Sequence, residues 1–137
     1  MAKYYDLELW KSSRKMALYL HKQVKPFNTA VNDDLANEIT DCAISIPTII
    51  AEAYNQVKPE DQEELIEEAS DMLVELETML QKAGVRFNLE AKAVSDGFAL
   101  INECKVGLQM VQQFKIQSPL AKVGNRVYVT PPSNNQV

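Results

Sequence analysis

An apolar stripe that runs past a proline is the feature that most constrains how this chain can fold. Pro47 lies in the middle of residues 35–53, where a proline removes one backbone hydrogen bond from a helix. The stripe keeps the three- and four-residue steps of one helix face on both sides of it. We therefore predict one kinked helix, with Ser45 and Thr48 hydrogen-bonding the backbone that Pro47 frees; the alternative is a helix that ends there. The stripe consists of Leu35, Ile39, Cys42, Ile46, Ile50 and Ala53.

The segments on either side of this helix also show a helical repeat. The first predicted helix runs from Asp6, as N-cap, to Val24, and the proline of "KPFN" ends it. The third begins in the turn that holds Pro59, with acidic residues at its positive end. Gly84 is a natural residue for ending the third helix because glycine adopts left-handed backbone angles freely.

A fourth helix completes the predicted fold. It follows Asn88 as N-cap and ends near residues 114–117, before Pro119. Four helices of this length with short loops predict an all-α protein, an antiparallel up-down-up-down four-helix bundle over residues 1–117. Residues 118–137 are rich in Pro, Gly and Asn and predict an irregular C-terminal tail, in which "RVYV" could pack on the bundle or on a neighbour.

Composition restricts the class of protein. The chain has 137 residues, of which 46% are apolar and 24% charged, as expected for one soluble domain. The N-terminus has no apolar signal segment and no run is long enough to span a bilayer, so we expect a cytoplasmic protein with no membrane partner. Cys42 and Cys104 fall within helical patterns, and we expect them to be reduced core residues.

Charge is segregated between the first and third helices. No acidic residue lies between Leu9 and Asn32, whereas nine acidic residues and no Lys or Arg lie between Glu60 and Glu77. The basic surface could contact phosphates, pair with the acidic helix of a neighbour, or serve only solubility. The candidate nucleic-acid-binding residues are Lys11, Arg14, Lys15, Lys22 and Lys25. The candidate oligomer-interface residues are Glu64, Glu67, Glu68 and Asp71.

Catalytic and metal-binding constellations are missing from the sequence. A di-iron bundle needs paired Glu-x-x-His motifs, but His21 is the one histidine and Leu18 stands where its glutamate would be. No G-x-S-x-G motif and no Gly-rich phosphate loop is present. We therefore expect no enzyme activity, no metal and no cofactor.

Three motifs resemble the four-helix-bundle family of 23S rRNA intervening-sequence proteins. The family pattern has a D-L-x-x-W opening, an S-I-P-x-x-I-A-E-G segment and an E-L-E-T-x-L segment. The matching stretches here are "DLELW", "SIPTIIAEA" and "ELETML", in that order within residues 4–114. The positions that we take as its structural motif are Trp10, Ser45, Pro47, Glu52, Glu75 and Glu77. If Glu52 and Glu75 border the core they need hydrogen-bond donors; the alternative is that both lie in water.

The resemblance implies a bundle that commonly forms a ring-shaped homopentamer. The resemblance extends to a related group of bundles, the accessory variability determinants of diversity-generating retroelements. These proteins bind a reverse transcriptase and nucleic acid through a basic surface. This chain departs from the family pattern where Asp41 and Cys42 replace paired arginines, and where Asn55 and Gln56 replace basic residues. These changes weaken the expectation of RNA or DNA binding more than that of the fold.

Our leading hypothesis is a non-enzymatic, self-associating accessory subunit of a nucleic-acid-handling complex, with the first helix as the contact. The alternative is a protein–protein adaptor without a nucleic-acid role. A further hypothesis concerns assembly: basic and acidic helices of neighbouring copies would alternate around a ring.

Overall fold

In a computed structural model, the described residues of the protein form four α-helices. The structure describes residues 7–29 and 34–114. The helices are α1 (Glu8–Val24), α2 (Leu35–Tyr54), α3 (Pro59–Arg86) and α4 (Ala91–Phe114), and a short 3-10 turn, Lys25–Phe27, follows α1. No strand occurs in these two stretches. The predicted all-α class is confirmed.

The helices pack as a four-helix bundle in which each helix has two neighbours. α1 packs on α2 and α4, and α3 packs on the same two helices. Short connections between successive helices place them antiparallel, as the up-down-up-down prediction required. α1 and α3 therefore occupy diagonal corners, which decides where their outer faces point.

One core runs through the bundle, and every helix contributes an apolar seam to it. The two cysteines lie within it, Cys42 on α2 and Cys104 on α4. Its largest fully buried side chains come from all four helices: Leu9, Met16, Leu20, Ile39, Ile46, Ile50, Ile66, Leu73, Leu76, Leu80, Ile101 and Leu108.

α2 continues without a break through Pro47, which is buried. The prediction of one helix is confirmed, and the bend at Pro47 stays a prediction. The predicted hydroxyl partners are wrong: Ser45 Oγ donates to the Cys42 carbonyl at 2.8 Å and Thr48 Oγ1 to the Ile44 carbonyl at 3.2 Å. On a helix these hydroxyls reach carbonyls three or four residues back. The carbonyl that Pro47 leaves unpaired, on Ala43, is two residues before Ser45 and five before Thr48.

The turn between α3 and α4 differs from the prediction. Gly84 lies inside α3, and Asn88, predicted as the N-cap of α4, takes the left-handed conformation (φ 52°) that ends α3. The Leu89 N–H donates to the Gly84 carbonyl at 3.1 Å, and the Asn88 N–H donates to the Val85 carbonyl at 3.3 Å. This is the Schellman arrangement, in which asparagine can replace glycine. A Cβ at Gly84 would approach Val94 to 3.2 Å, so close helix packing explains the glycine instead.

Two predictions fall on residues that the structure does not describe. Asp6, the predicted N-cap of the first helix, and the predicted tail 118–137 both lie outside the described ranges. α1 begins at Glu8, and Leu7 precedes it in an extended conformation without a side-chain cap. The described part of α4 reaches Phe114, and the predicted end of this helix stays a prediction because residues 115–117 lie outside the described ranges.

Candidate nucleic-acid interface

The five candidate cations form one stripe along α1 and the turn after it. At 3.6 residues per turn, their positions fall within about 100° of arc and about 21 Å of axial length. The buried positions of α1, which include Ser13, Met16 and Leu20, lie on the opposite side of the helix. We call this surface the basic stripe; its members, all exposed, are Lys11, Arg14, Lys15, Lys22 and Lys25.

Side-chain hydrogen bonds to both neighbouring helices fix the orientation of α1. Tyr19 Oη donates to the Ala93 carbonyl of α4 at 3.0 Å, and His21 Nδ1 lies 3.2 Å from Thr40 Oγ1 of α2. Burial, followed by the nearby carboxylate of Asp96, raises the pKa of Tyr19, so its hydroxyl keeps the proton that it donates. These contacts fix the rotation of α1 about its own axis, and so they fix the direction in which the basic stripe faces.

Within the described residues, the charges of the basic stripe are largely unpaired. Lys11 Nζ lies 3.8 Å from the Glu8 carboxylate, with both side chains more than half exposed. Within residues 7–29 and 34–114, the other four cations make no ion pair. Leu18, with 52% of its surface exposed, lies among them. The stripe can therefore contact an anionic surface without first breaking ion pairs among the described residues, other than the exposed one between Lys11 and Glu8.

A stripe of opposite charge occupies the outer face of α3. Helical geometry places six carboxylates within about 100° of arc and about 22 Å of length, opposite the buried seam of α3. Val74, 54% exposed, borders them. We call this surface the acidic stripe; its members, all exposed, are Glu60, Glu64, Glu67, Glu68, Asp71 and Glu75. It includes the four candidate oligomer-interface residues.

The positions of the predicted structural motif divide into packed and exposed residues. Trp10 packs, partly buried, against the core, and Pro47 lies inside it. Glu52 and Glu75 are exposed, so the interpretation that both lie in water is the correct one. Glu77 pairs with Lys105 of α4, whose Nζ lies 3.2 Å from both carboxylate oxygens, with 31% of each side chain exposed. The motif thus links α3 to α4 as well as filling the core.

Sequence reasoning missed three features near these surfaces. Gln62 is buried and donates from Nε2 to the Gln56 carbonyl at 2.9 Å, which ties the start of α3 to the preceding loop. Phe27 and Phe87 stack with ring centroids 4.6 Å apart. The third feature is the Lys105–Glu77 pair. Each depends on the register between elements, which helical periodicity does not report.

The buried thiols offer no reactive site. Burial raises the pKa of Cys42 to about 11 and the pKa of Cys104 to about 12, with smaller contributions from Glu75 and Glu103 respectively. Both thiols are therefore protonated at neutral pH, and a protonated thiol is a poor nucleophile and metal ligand. Across the described residues no group of three metal-binding side chains comes together.

The family of this chain is decided by comparison with family models. The model described as "23S rRNA-intervening sequence protein" matches residues 5–110. The chain belongs to this family. The match covers the basic stripe, the acidic stripe and all three motifs that carry the resemblance. Comparison with curated proteins and with solved structures gave no match.

Membership of the 23S rRNA-intervening sequence protein family agrees with the four-helix architecture that the structure shows. None of the helices in the described residues is both long and apolar enough to cross a membrane.

Proposed function

We propose that this protein is a non-catalytic accessory protein that binds the phosphate backbone of RNA or DNA through the basic stripe of α1. The observation that carries the proposal is the stripe itself: five exposed cations on the side of α1 opposite the core. Phosphate contacts by lysine and arginine supply most of the affinity in sequence-independent binding.

The geometry of the basic stripe supports contact with an extended polyanion. Its length of about 21 Å is that of about six phosphates along one strand of a duplex. Arg14 adds a planar group that can hold two phosphate oxygens at once. Local charge matters more here than the net charge of −5, because the carboxylates of the acidic stripe lie on the diagonal corner of the bundle.

One groove among the described residues bears on the non-catalytic part of the proposal. The groove between the end of α3 and the start of α4 has a volume of about 580 Å³ but no titratable side chain in its lining. The lining residues are Gln81, Gly84, Val85, Ala91, Val94, Ser95 and Phe98. Active sites commonly bring perturbed titratable groups into a cleft, so this groove is not a candidate for acid–base catalysis.

We propose further that the protein works as a homo-oligomer inside a larger complex. The resemblance stated above suggests a homopentamer, and a reverse transcriptase of a diversity-generating retroelement as one partner. The exposed stripes of α1 and α3 would then be the surfaces available for assembly and for the partner.

The binding test is fluorescence anisotropy with labelled single-stranded RNA, duplex RNA and duplex DNA at about 50 mM salt, where phosphate contacts are strongest. We expect the natural protein to bind, and the Arg14→Glu/Lys15→Glu variant to bind at least about tenfold more weakly. The matched control is Lys58→Glu/Lys92→Glu, which changes net charge equally at two exposed positions, the N-cap before α3 and the start of α4. Absence of binding at low salt, or equal losses in variant and control, would overturn the proposal.

The second candidate function is a protein–protein adaptor that binds no nucleic acid. It is favoured by the net charge of −5 and by the acidic stripe, which would repel a polyanion. Replacement of basic family positions by Asp41, Cys42, Asn55 and Gln56 points the same way. The same anisotropy experiment separates the two functions, because the adaptor gives no signal with any of the three nucleic acids.

A further inference from the structure

The outward side of α4 carries a line of uncharged residues, unlike the outward sides of α1 and α3. This line follows helical steps of three and four residues, within about 80° of arc and over about 33 Å, opposite the buried Cys104 and Leu108. We call this surface the neutral stripe; its members, all exposed, are Ala91, Ser95, Ala99, Asn102, Val106, Gln109 and Gln113. The cores of interfaces are depleted in charged residues, so the neutral stripe has the composition of a surface that another segment covers.

The charged residues in the second half of α4 point toward the neighbouring helices. Residues 99–113 contain two of them, Glu103 and Lys105. The Glu103 carboxylate accepts a hydrogen bond from Ser12 Oγ of α1 at 3.2 Å, and Lys105 Nζ lies 3.2 Å from the Glu77 carboxylate of α3. The outward side of α4 between these two contacts is left to uncharged residues.

An apolar groove lies at the end of the neutral stripe that is farther from Phe114. It is the groove of about 580 Å³ between α3 and α4, and Ala91 and Ser95 belong both to its lining and to the stripe. Val85, which lines it from α3, has 85% of its surface exposed, and Phe98, which lines it from α4, packs partly buried against the core. The neutral stripe therefore connects the last described turn of α4 to an apolar site near the start of the same helix.

We propose that the groove and the neutral stripe bind the chain's own C-terminal segment, with residues 127–129 in the groove. Residues 115–137 follow Phe114 directly and lie outside the described ranges. Ser95 in the groove is about 28 Å from Phe114 along the axis of α4. The twelve residues 115–126 span up to about 40 Å when extended. The segment is therefore long enough to run back along the neutral stripe and reach the groove of its own molecule.

The sequence of residues 126–130, "RVYVT", suits an apolar groove. Val127 and Val129 favour an extended backbone, and in an extended segment they lie on the same side, about 7 Å apart. Ala91 and Ser95 are one helical turn apart on α4 and place two small side chains about 6 Å apart along the groove. The spacing of the two valines therefore matches the spacing of the small residues against which they would pack.

Charge directs the C-terminal segment toward the α3 side of α4, which is the side where the groove lies. Residues 115–137 contain three cations, Lys115, Lys122 and Arg126, and no acidic residue. α4 packs between α1, which carries the basic stripe, and α3, which carries the acidic stripe. A cationic segment is therefore attracted toward α3 and repelled from α1.

Attachment to α4 favours the chain's own segment over any other occupant of the groove. A segment joined to the bundle by a short linker is present at its site at an effective concentration of the order of millimolar. A second copy that offers the same residues would have to exceed that concentration to compete. The contact is therefore expected within one molecule.

Disulfide trapping in the full chain tests the proposal. The Ser95→Cys/Thr130→Cys variant places one thiol in the groove and one next to residues 127–129. The control, Asn37→Cys/Thr130→Cys, places the first thiol at an exposed position at the same end of the bundle, on α2, the helix diagonal to α4. The native thiols stay in place, because both are buried and protonated at neutral pH. Under mild oxidation the groove pair should form an intramolecular disulfide at least about tenfold faster than the control pair.

Two tail variants, each added to the groove pair, show whether the valines are responsible. Val127→Asp/Val129→Asp should slow trapping to the rate of the control pair, because an apolar groove disfavours carboxylates. Asn134→Asp/Asn135→Asp makes the same change in charge outside residues 127–129 and should leave the rate unchanged.

Three results would overturn the proposal. The first is equal trapping rates in the groove pair and the control pair. The second is a rate that Val127→Asp/Val129→Asp leaves unchanged. The third is a disulfide between two chains, seen as a dimer on a non-reducing gel, which would assign the groove to a second copy. All of these substitutions leave the basic stripe intact, so the RNA binding of the same variants reports on the proposed function separately.

Discussion

The inner faces of α1 and α3 are alike, whereas their outer faces are opposites. Both helices bury an apolar seam in the same core, with Leu20 and Leu76 fully buried. Outside, α1 and the turn after it carry five cations, and α3 carries six carboxylates. The inner faces are sufficient to explain the bundle, and nothing in the packing requires the charges to be segregated. The difference teaches that the inner sides of these helices account for the fold, while their outer sides carry the charges on which the proposed function depends.

The largest expected effect on stability comes from shortening a buried leucine on the inner face of either helix. Leu20→Ala and Leu76→Ala should each lower the free energy of unfolding by about 2–5 kcal/mol, because each leaves a cavity in a close-packed core. Urea unfolding at 25 °C measures both. Leu18→Ala, on the outer face of α1, is the control and should change stability by less than about 0.5 kcal/mol. A Leu20 variant no less stable than the control would show that α1 is not part of the core.

The buried thiols on the inner faces of α2 and α4 make the stability of the core depend on pH. Burial raises the pKa of Cys42 to about 11 and of Cys104 to about 12 in the folded protein, against 9 for an exposed thiol. The unfolded chain then ionises first, so the thiol contribution is intact below pH 9 and is lost as pH rises toward 11 and 12. Each thiol contributes a slope of up to about 1.4 kcal/mol per pH unit in that window.

Chemical unfolding at pH 8, 9 and 10 measures this slope. The Cys42→Ala/Cys104→Ala variant is the control, because it retains every other group that titrates in the same range. Stability of the natural protein should fall more steeply with pH than that of the variant. Parallel curves would mean that the thiols are not buried as the structure places them.

A smaller effect on stability is expected at Glu77, an acidic residue of α3 that lies outside the acidic stripe. Glu77 pairs with Lys105, and 31% of each side chain is exposed. Lys105→Met should lower the free energy of unfolding by about 0.5–1 kcal/mol, the upper range for partly exposed pairs. Lys92→Met removes the pair with Asp96, in which the lysine is 83% exposed, and should have no measurable effect. Equal losses in the two variants would remove the distinction between the partly buried pair that joins α3 to α4 and the exposed pair within α4.

The smallest effect on stability should come from reversing the outer faces. Arg14→Glu/Lys15→Glu takes the net charge from −5 to −9, and Glu67→Lys/Asp71→Lys takes it from −5 to −1, since each substitution changes it by two. Both variants should unfold within about 0.5 kcal/mol of the natural protein, because the exposed side chains make no buried contact. Thermal melts followed by circular dichroism check this. A large loss in either variant would show that the outer faces take part in the fold.

Helical periodicity was enough to predict α2, because its stripe keeps one phase from Leu35 to Ala53 and Pro47 does not interrupt it. Periodicity was not enough at the α3–α4 turn. Gly84 and Asn88 can each end a helix in the left-handed conformation, and an asparagine can also begin one. In the structure Asn88 ends α3, and Gly84 instead lies inside the helix, where it packs against Val94 of α4. A contact between two helices cannot be deduced from the periodicity of either one.

The candidate stripes were predicted only in part from the sequence. The five cations could be assigned to one helix from their order, and exposure confirmed that they face outward. Their relation to the acidic stripe depends on which helices are diagonal, and the assignment of neighbours comes from the packing of the bundle. Contacts such as Phe27 with Phe87 depend on how far one element slides along another, and a single sequence carries no signal for that distance.

The most direct test of the basic stripe is the salt dependence of RNA affinity, measured by anisotropy between about 50 and 200 mM salt. If all five cations contact phosphates, the logarithm of the association constant should fall with the logarithm of salt concentration with a slope of up to about −3.5 for single strands and −4.5 for duplex. Arg14→Glu/Lys15→Glu should flatten that slope by at least about 1.5. A natural protein that binds no RNA at about 50 mM salt, or a slope that the α1 reversal leaves unchanged, would contradict the assignment of α1 as the phosphate-binding surface.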